Sequence, residues 1–185
     1  MTGPSAPNAP KDEIFDKDLV PRLLKSILSR TRYVLSEDAG IEVRDVSSVN
    51  CAVDKLHLHD LTILAGLGAP VNVLVAFSFE GSLVDALFVG MAGGLDLDMS
   101  EADLYRGECA AEAINMVLGL STADLQSEEM TISLSPPVVL DNTRWIHRHR
   151  NAYFASMRLT TDRGFLDVSV VGPRELFDDR MNYTV

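Results

Sequence analysis

The stretch Ser100–Ser121, SEADLYRGECAAEAINMVLGLS, reads as one amphipathic helix with two unlike faces. At about 100° per residue, Glu108, Glu112, Asn115 and Gly119 fall within roughly 60° of one another. The opposite face carries Ala110, Ala113, Ile114 and Val117, flanked by Cys109 and Leu118. One side is built for a core. The other offers two carboxylates, an amide and the gap left by a glycine. A solvated face is most simply written with Lys, Arg and Glu. A short neutral Asn inside a helix lowers its propensity and competes for backbone hydrogen bonds. Most acidic positions on helix faces serve only solvation, and an isolated Glu-x-x-Asn is common, so the stripe acquires meaning from the rest of the chain.

Working outward, Asp18 to Leu35 repeats Val20, Leu23, Leu24, Ile27, Leu28, Thr31, Val34 and Leu35 at helical spacing, with Pro21 acceptable in a first turn. Ile41 to Val46 and Leu61 to Leu67 read as strands. Pro70 to Glu80 is the clearest strand, alternating Val71, Val73, Val75, Phe77 and Phe79 with Asn72, Leu74, Ala76, Ser78 and Glu80. Ser82 with Asp85 resembles a capping box for a short helix to Met91, closed by Gly93 and Gly94. Ser100 with Asp103 opens the Ser100–Ser121 helix in the same way. Thr131 to Val139 reads as a strand whose Pro136-Pro137 confines it to an edge or a bulge. Ala152 to Thr160 and Phe165 to Val171 form a hairpin through Thr161-Asp162-Arg163-Gly164. Helix plus sheet is thus written roughly twice. The expectation is an α+β two-layer sandwich, helices packed on one face of a largely antiparallel sheet, with a weak internal duplication relating Asp18–Leu35 to Ser100–Ser121. The first of these helices has no Glu-x-x-Asn, so only one copy of a site is expected.

The 185 residues suit one domain with its own core. Residues 1–12 are rich in Pro and small residues and are expected to be a disordered tail. Residues 13–173 form the domain, and 174–185 a loose, charged tail. No apolar run approaches a membrane span, and the start lacks the pattern of a secretory signal. Two cysteines, Cys51 and Cys109, are too few for a disulfide framework, which points to a reduced, cytoplasmic setting. The net charge of −11 repels phosphate backbones and anionic lipid, so neither nucleic acid nor membrane is an expected partner.

Three features compete for attention. All four histidines occur as His-x-His, His57 with His59 and His147 with His149, but nothing in sequence brings the pairs together into a metal site, and none is assigned. The basic cluster Trp145-Ile146-His147-Arg148-His149-Arg150 could stack on nucleic acid, yet in so acidic a chain it reads better as a loop between strands. Asp96-x-Asp98 beside Glu101 lacks the spacing of a calcium loop and reads as a solvated connection with helix-start acids. No phosphate-binding loop, nucleophile elbow or zinc-protease motif is present.

Glu112-x-x-Asn115-x-x-x-Gly119, followed after a strand-length gap by Ser135-Pro136-Pro137, resembles the signature of the CheC/CheX/FliY chemotaxis phosphatases, and its single copy makes it most similar to the CheX branch. The position four before Glu112, usually Asp or Ser in that signature, is Glu108. The resemblance runs from about Asp18 to Gly172, by element order as well as by motif. It implies a phosphatase for the acyl phosphate of a CheY-type response regulator, with Glu112 and Asn115 as the catalytic pair. Asn115 would orient the attacking water and Glu112 would pair with the lysine beside the phosphate. No cofactor of its own is implied, because Mg²⁺ would be supplied in the partner regulator. The resemblance also suggests a homodimer. The alternative it leaves open is a non-catalytic regulator-binding or flagellar-switch module on the same fold.

Overall fold

The computed structural model describes residues 18–49, 55–69, 71–93, 99–127, 131–147 and 152–177. The elements in order are α1 (Leu19–Ala39), β1 (Val43–Val49), β2 (Lys55–His57), β3 (Leu61–Leu67), β4 (Val73–Phe79), α2 (Gly81–Met91), α3 (Ala102–Leu125), β5 (Val138–Asp141), β6 (Trp145–His147), β7 (Ala152–Thr161) and β8 (Gly164–Pro173). Short 3₁₀ turns precede α3 at Met99–Glu101 and follow β8 at Arg174–Leu176.

Alternation in the strands decides the layers. Ile63, Phe77, Val168 and Met157 are cross-strand neighbours, and together with Leu61, Val75, Phe79, Val170 and Leu159 they turn one sheet face into a continuous apolar surface. Helices α1, α2 and α3 lay Leu23, Ile27, Leu83, Leu87, Ala110, Ile114 and Val117 against it. The sheet is antiparallel throughout, in the order β1-β7-β8-β4-β3-β5. This is the expected α+β two-layer arrangement of helices on one face of an antiparallel sheet.

The expected duplication is present in the topology. Exchanging β1 with β5, β3 with β7 and β4 with β8 reproduces the same strand order read backwards. Each half contributes one long helix, one edge strand and one hairpin, with β4 and β8 meeting in the middle. The β2 and β6 strands pair with each other as Lys55↔His147, Leu56↔Ile146 and His57↔Trp145, forming a two-stranded ribbon that the same exchange maps onto itself.

Several expectations shift. The ribbon is new: Trp145 to His147 is a strand rather than a loop, and His57 and His147 stand on the same face of it. Leu56, Leu58 and Ile146 fold onto Ala76, Phe154, Leu64 and Val171, on the sheet face opposite the helices. Regular pairing between Thr131 and Val139 is confined to Val138 and beyond; upstream there is only a bridge between Leu134 and Leu67. β5 is an edge strand, one of the two placements expected from Pro136-Pro137, which lie just before it. The Ser82–Asp85 capping box does not form: α2 begins at Gly81, whose N–H donates to Asp60 Oδ2 at 2.7 Å. α3 begins behind its 3₁₀ turn, and Glu101 at its cap position makes no side-chain cap hydrogen bond. Past Pro173, Leu176 and Phe177 are buried in the core, so packing continues through the first residues expected to be loose. Residues 1–12, Asp96 and Asp98, Cys51, Arg148, His149 and Arg150 lie outside the described residues. Among the described residues no helix is long and apolar enough to cross a membrane.

Candidate functional site

Helix α3 positions the site because its buried face leaves no rotational freedom. Ala110, Ala113, Ile114, Val117 and Leu118 are all at most 2% exposed, fixing the register of the helix on the sheet and on α1. Glu108, Glu112, Asn115 and Gly119 consequently point to solvent, and all four are exposed. With a rise of about 1.5 Å per residue they form a ridge roughly 16 Å long. The structure therefore brings both predicted site residues, Glu112 and Asn115, onto one open face, one turn apart.

Among the described residues neither Glu112 nor Asn115 makes a side-chain hydrogen bond or ion pair. An exposed carboxylate and amide without internal partners keep their full hydrogen-bonding capacity for another molecule. A Cβ built on Gly119 meets nothing within 4 Å, so the fold itself does not require glycine there. Beside Glu108, burial first and then the Glu108 charge push the Cys109 thiol above its ordinary range, which favours its protonated form.

At its far end α3 is clasped to α1. Asp124 accepts hydrogen bonds from Ser26 Oγ at 2.7 Å and from Arg30 Nε at 2.8 Å. These bonds, that of Arg30 foremost, hold the Asp124 carboxyl down at about 2. Near its start α3 is tied to α2 by Arg106, 2.6 Å from Asp85, with Asp103 at 3.2 Å. The stripe is thus carried by a helix restrained at both ends.

Beside the stripe lies a groove of about 470 Å³ between α3, β5 and the start of α2. Leu104 and Val139 form its exposed apolar walls, with the buried Leu61 and Val84 behind them; Asp60, Asp103, Glu108 and Asp141 supply carboxylates, and Arg106 is the only cation among the described residues that line it. Glu108 belongs both to the groove and to the stripe. Sequence reading found Glu108 but not the groove, because Asp60, Leu104 and Asp141 meet only through sheet pairing and helix docking.

The other half of the molecule carries no second copy. Matching buried positions Leu23, Leu24, Ile27, Leu28 and Thr31 of α1 to Ala113, Ile114, Val117, Leu118 and Ser121 of α3, an offset of 90, sets Arg22, Lys25 and Ser29 where α3 has Glu112, Asn115 and Gly119. Of the histidines, His57 Nδ1 sits 3.2 Å from the Leu58 carbonyl and His59 Nε2 is 2.7 Å from Asp167, and among the described residues, which exclude His149, no group of three or more metal-binding side chains occurs.

No protein-family model matches the chain, and no curated protein matches its sequence significantly. Solved structures do share its fold. The chemotaxis protein CheX from Desulfovibrio desulfuricans superposes with a TM-score of 0.67 at 20% identity, over 80% of this chain and 97% of that one. FliY from Thermotoga maritima gives 0.57 at 18% identity, over 90% and 94%. CheX from Borrelia burgdorferi, in a complex with CheY, BeF₃ and Mg²⁺, gives 0.61 at 11% identity, over 80% and 97%. The fold is the one that CheX, CheC-like and FliY structures have.

Proposed function

We propose that this chain is a phosphatase for the aspartyl phosphate of a CheY-type response regulator. The observation that carries the reading is the exposed, internally unpartnered Glu112 and Asn115, one turn apart on a rigidly held helix of this fold. The Borrelia burgdorferi CheX that shares the fold is itself in complex with CheY, which supports a regulator as the partner.

An acyl phosphate is already activated, so the catalyst has only to position water and steady charge. Asn115 enters the regulator's site and holds the water through its amide. A carboxylate there would be repelled by the phosphoryl oxygens. The water oxygen forms a bond to phosphorus as the bond from phosphorus to the aspartyl oxygen breaks. The electron pair leaves with the aspartate carboxylate, and the water's proton goes to the departing phosphate or to solvent. Glu112 pairs with the lysine beside the phosphate and fixes the approach. Gly119 allows the regulator's backbone to come close. Mg²⁺ belongs to the regulator's own acidic pocket, and no residue of this chain is assigned to it.

The test is the decay of a panel of phosphorylated regulators with parent protein and with Asn115→Ala. The expected outcome is faster decay with the parent, lost in the variant, while the variant still binds the beryllofluoride-activated regulator. If the variant is as fast as the parent, Asn115 does not position the water. If the parent binds the regulator without hastening its decay, the fold serves as a binding module.

A further inference from the structure

We propose that the groove between α3 and β5 is a second docking point for the same regulator, receiving an apolar side chain flanked by Lys or Arg. This rests on the phosphatase reading above. Exposed large apolar side chains are few among the described residues, and two of them meet at this groove: Leu104 at 57% and Val139 at 42%. Leu104 on the helix and Val139 on the strand face the same groove. Water-exposed apolar walls of this kind, rimmed by polar groups, are a recurrent feature of surfaces that another protein covers.

The charges say what kind of surface covers it. Asp60 is committed to the Gly81 N–H, and Asp103 lies 3.2 Å from Arg106, which also holds Asp85. Among the described residues Glu108 and Asp141 have no cation within ion-pair distance. The groove therefore presents two uncompensated carboxylates around two apolar walls. A segment with an apolar side chain beside Lys or Arg satisfies both, whereas a second copy of this chain, with its net charge of −11, is a poorer charge match for this groove. Strand addition to β5 is disfavoured, since that strand has only four residues and follows Pro136-Pro137.

Continuity with the stripe makes the regulator the occupant. Glu108 lines the groove and lies one turn, about 6 Å along the axis, from Glu112. A protein that brings its lysine to Glu112 and its phosphoryl group to Asn115 covers Glu108 as well. The groove thus contributes to holding the regulator rather than to the chemistry, and it gives Glu108 a place at the junction of the two.

The test separates binding from turnover. Leu104→Ser with Val139→Ser removes two exposed contacts, so the variant should remain folded by circular dichroism and melt close to the parent. Its KM for the phosphorylated regulator should rise about tenfold while kcat stays within about twofold, the pattern of lost uniform binding. Asp141→Asn should flatten the dependence of KM on salt. As an independent reading, the same double change placed in Asn115→Ala should weaken Kd for the beryllofluoride-activated regulator by the same factor. Unchanged KM and Kd in the folded variant overturn the proposal, as does a fall in kcat at constant KM. If the parent binds the regulator without hastening its decay, the phosphatase reading fails and the groove is judged on Kd alone. If the parent neither binds nor dephosphorylates any regulator in the panel, both fall.

Discussion

Asn115 and Glu112 cost the fold almost nothing, and that separates function from stability in a measurable way. Asn115→Ala replaces an exposed side chain by the best helix former, so its melting temperature should equal or slightly exceed the parent's while turnover is lost. Glu112→Ala should likewise melt near the parent but weaken the productive complex. Ile114→Asp is the contrast on the same helix. It places a charge at a position 2% exposed, with no partner in reach, and should cost more than about 4 kcal/mol, enough to unfold a domain of ordinary stability. If Glu112→Ala proved as damaging as Ile114→Asp in a thermal melt, the assignment of faces would be wrong. Gly119→Ala sharpens the point. Open space surrounds the added methyl group, and an exposed helical Gly→Ala change should stabilise by up to about 1 kcal/mol. The same change should slow dephosphorylation if the regulator's backbone packs against that position. A variant that is both more stable and fully active would show that the glycine is incidental. These residues were legible in sequence because helical periodicity fixes which side chains share a face, whatever the helix is packed against.

At the scale of elements, legibility followed local pattern. Strand β3 matches its expected bounds of Leu61–Leu67, and β4, β7 and β8 differ from theirs only at their ends, because alternating apolar residues bounded by turns need no distant partner to be recognised. The β7–β8 turn is equally local: Gly164 has φ of +128°, and a Cβ there would fall 2.6 Å from Ser82 Oγ. Helix starts were less readable. Ser82 looked like a cap for α2, but the donor at the head of that helix is satisfied by Asp60, from before β3. Strands β2 and β6, three residues each, carry too short a pattern to be recognised, and only their pairing defines them. The clasp between α1 and α3 is likewise long-range. Asp124, held at about 2 against an ordinary 3.8, favours the folded state above its unfolded value. That contribution should be present at neutral pH and should fade as pH falls through the interval from about 4 to about 2. Asp124→Asn should therefore melt slightly below the parent at pH 7, with the gap closing as pH approaches 2. Since Ser26 and Arg30 are partly exposed, the gap at pH 7 should be small and should shrink in high salt. A gap that widens on acidification would remove the clasp as its cause.

At the scale of the whole molecule, the approximate twofold relation of the halves was visible in sequence only as a repeated order of elements. The structure gives it a consequence: the two long helices occupy related places, but only α3 carries the proposed site residues, so on that reading the other half serves as scaffold. The symmetry also leaves the ribbon of β2 and β6 alone on the far side of the sheet, remote from α3. Its attachment is slender. Leu56, Leu58 and Ile146 meet a small apolar patch around Phe154, and His59 reaches Asp167, which Arg158 holds by two bonds of 2.6 and 2.7 Å. Trp145, the only tryptophan of the chain, lies on this ribbon with its ring 4.8 Å from that of His57, in an edge-on contact. Tryptophan fluorescence therefore reports the ribbon, while far-UV circular dichroism reports the helices and the main sheet. Leu56→Ser removes the central buried side chain of the ribbon and should detach it without opening the main core, which belongs to a separate cluster. In urea, the two signals should change together in the parent. In the variant the fluorescence transition should move to lower urea while the circular dichroism transition stays close to its parent position. Dephosphorylation should be unaffected, because α3 packs on the opposite face of the sheet. If both transitions moved together by the full cost of a buried leucine, about 2–4 kcal/mol, the ribbon would be part of the main cooperative unit, and the separation of a catalytic face from an independently opening back would be lost.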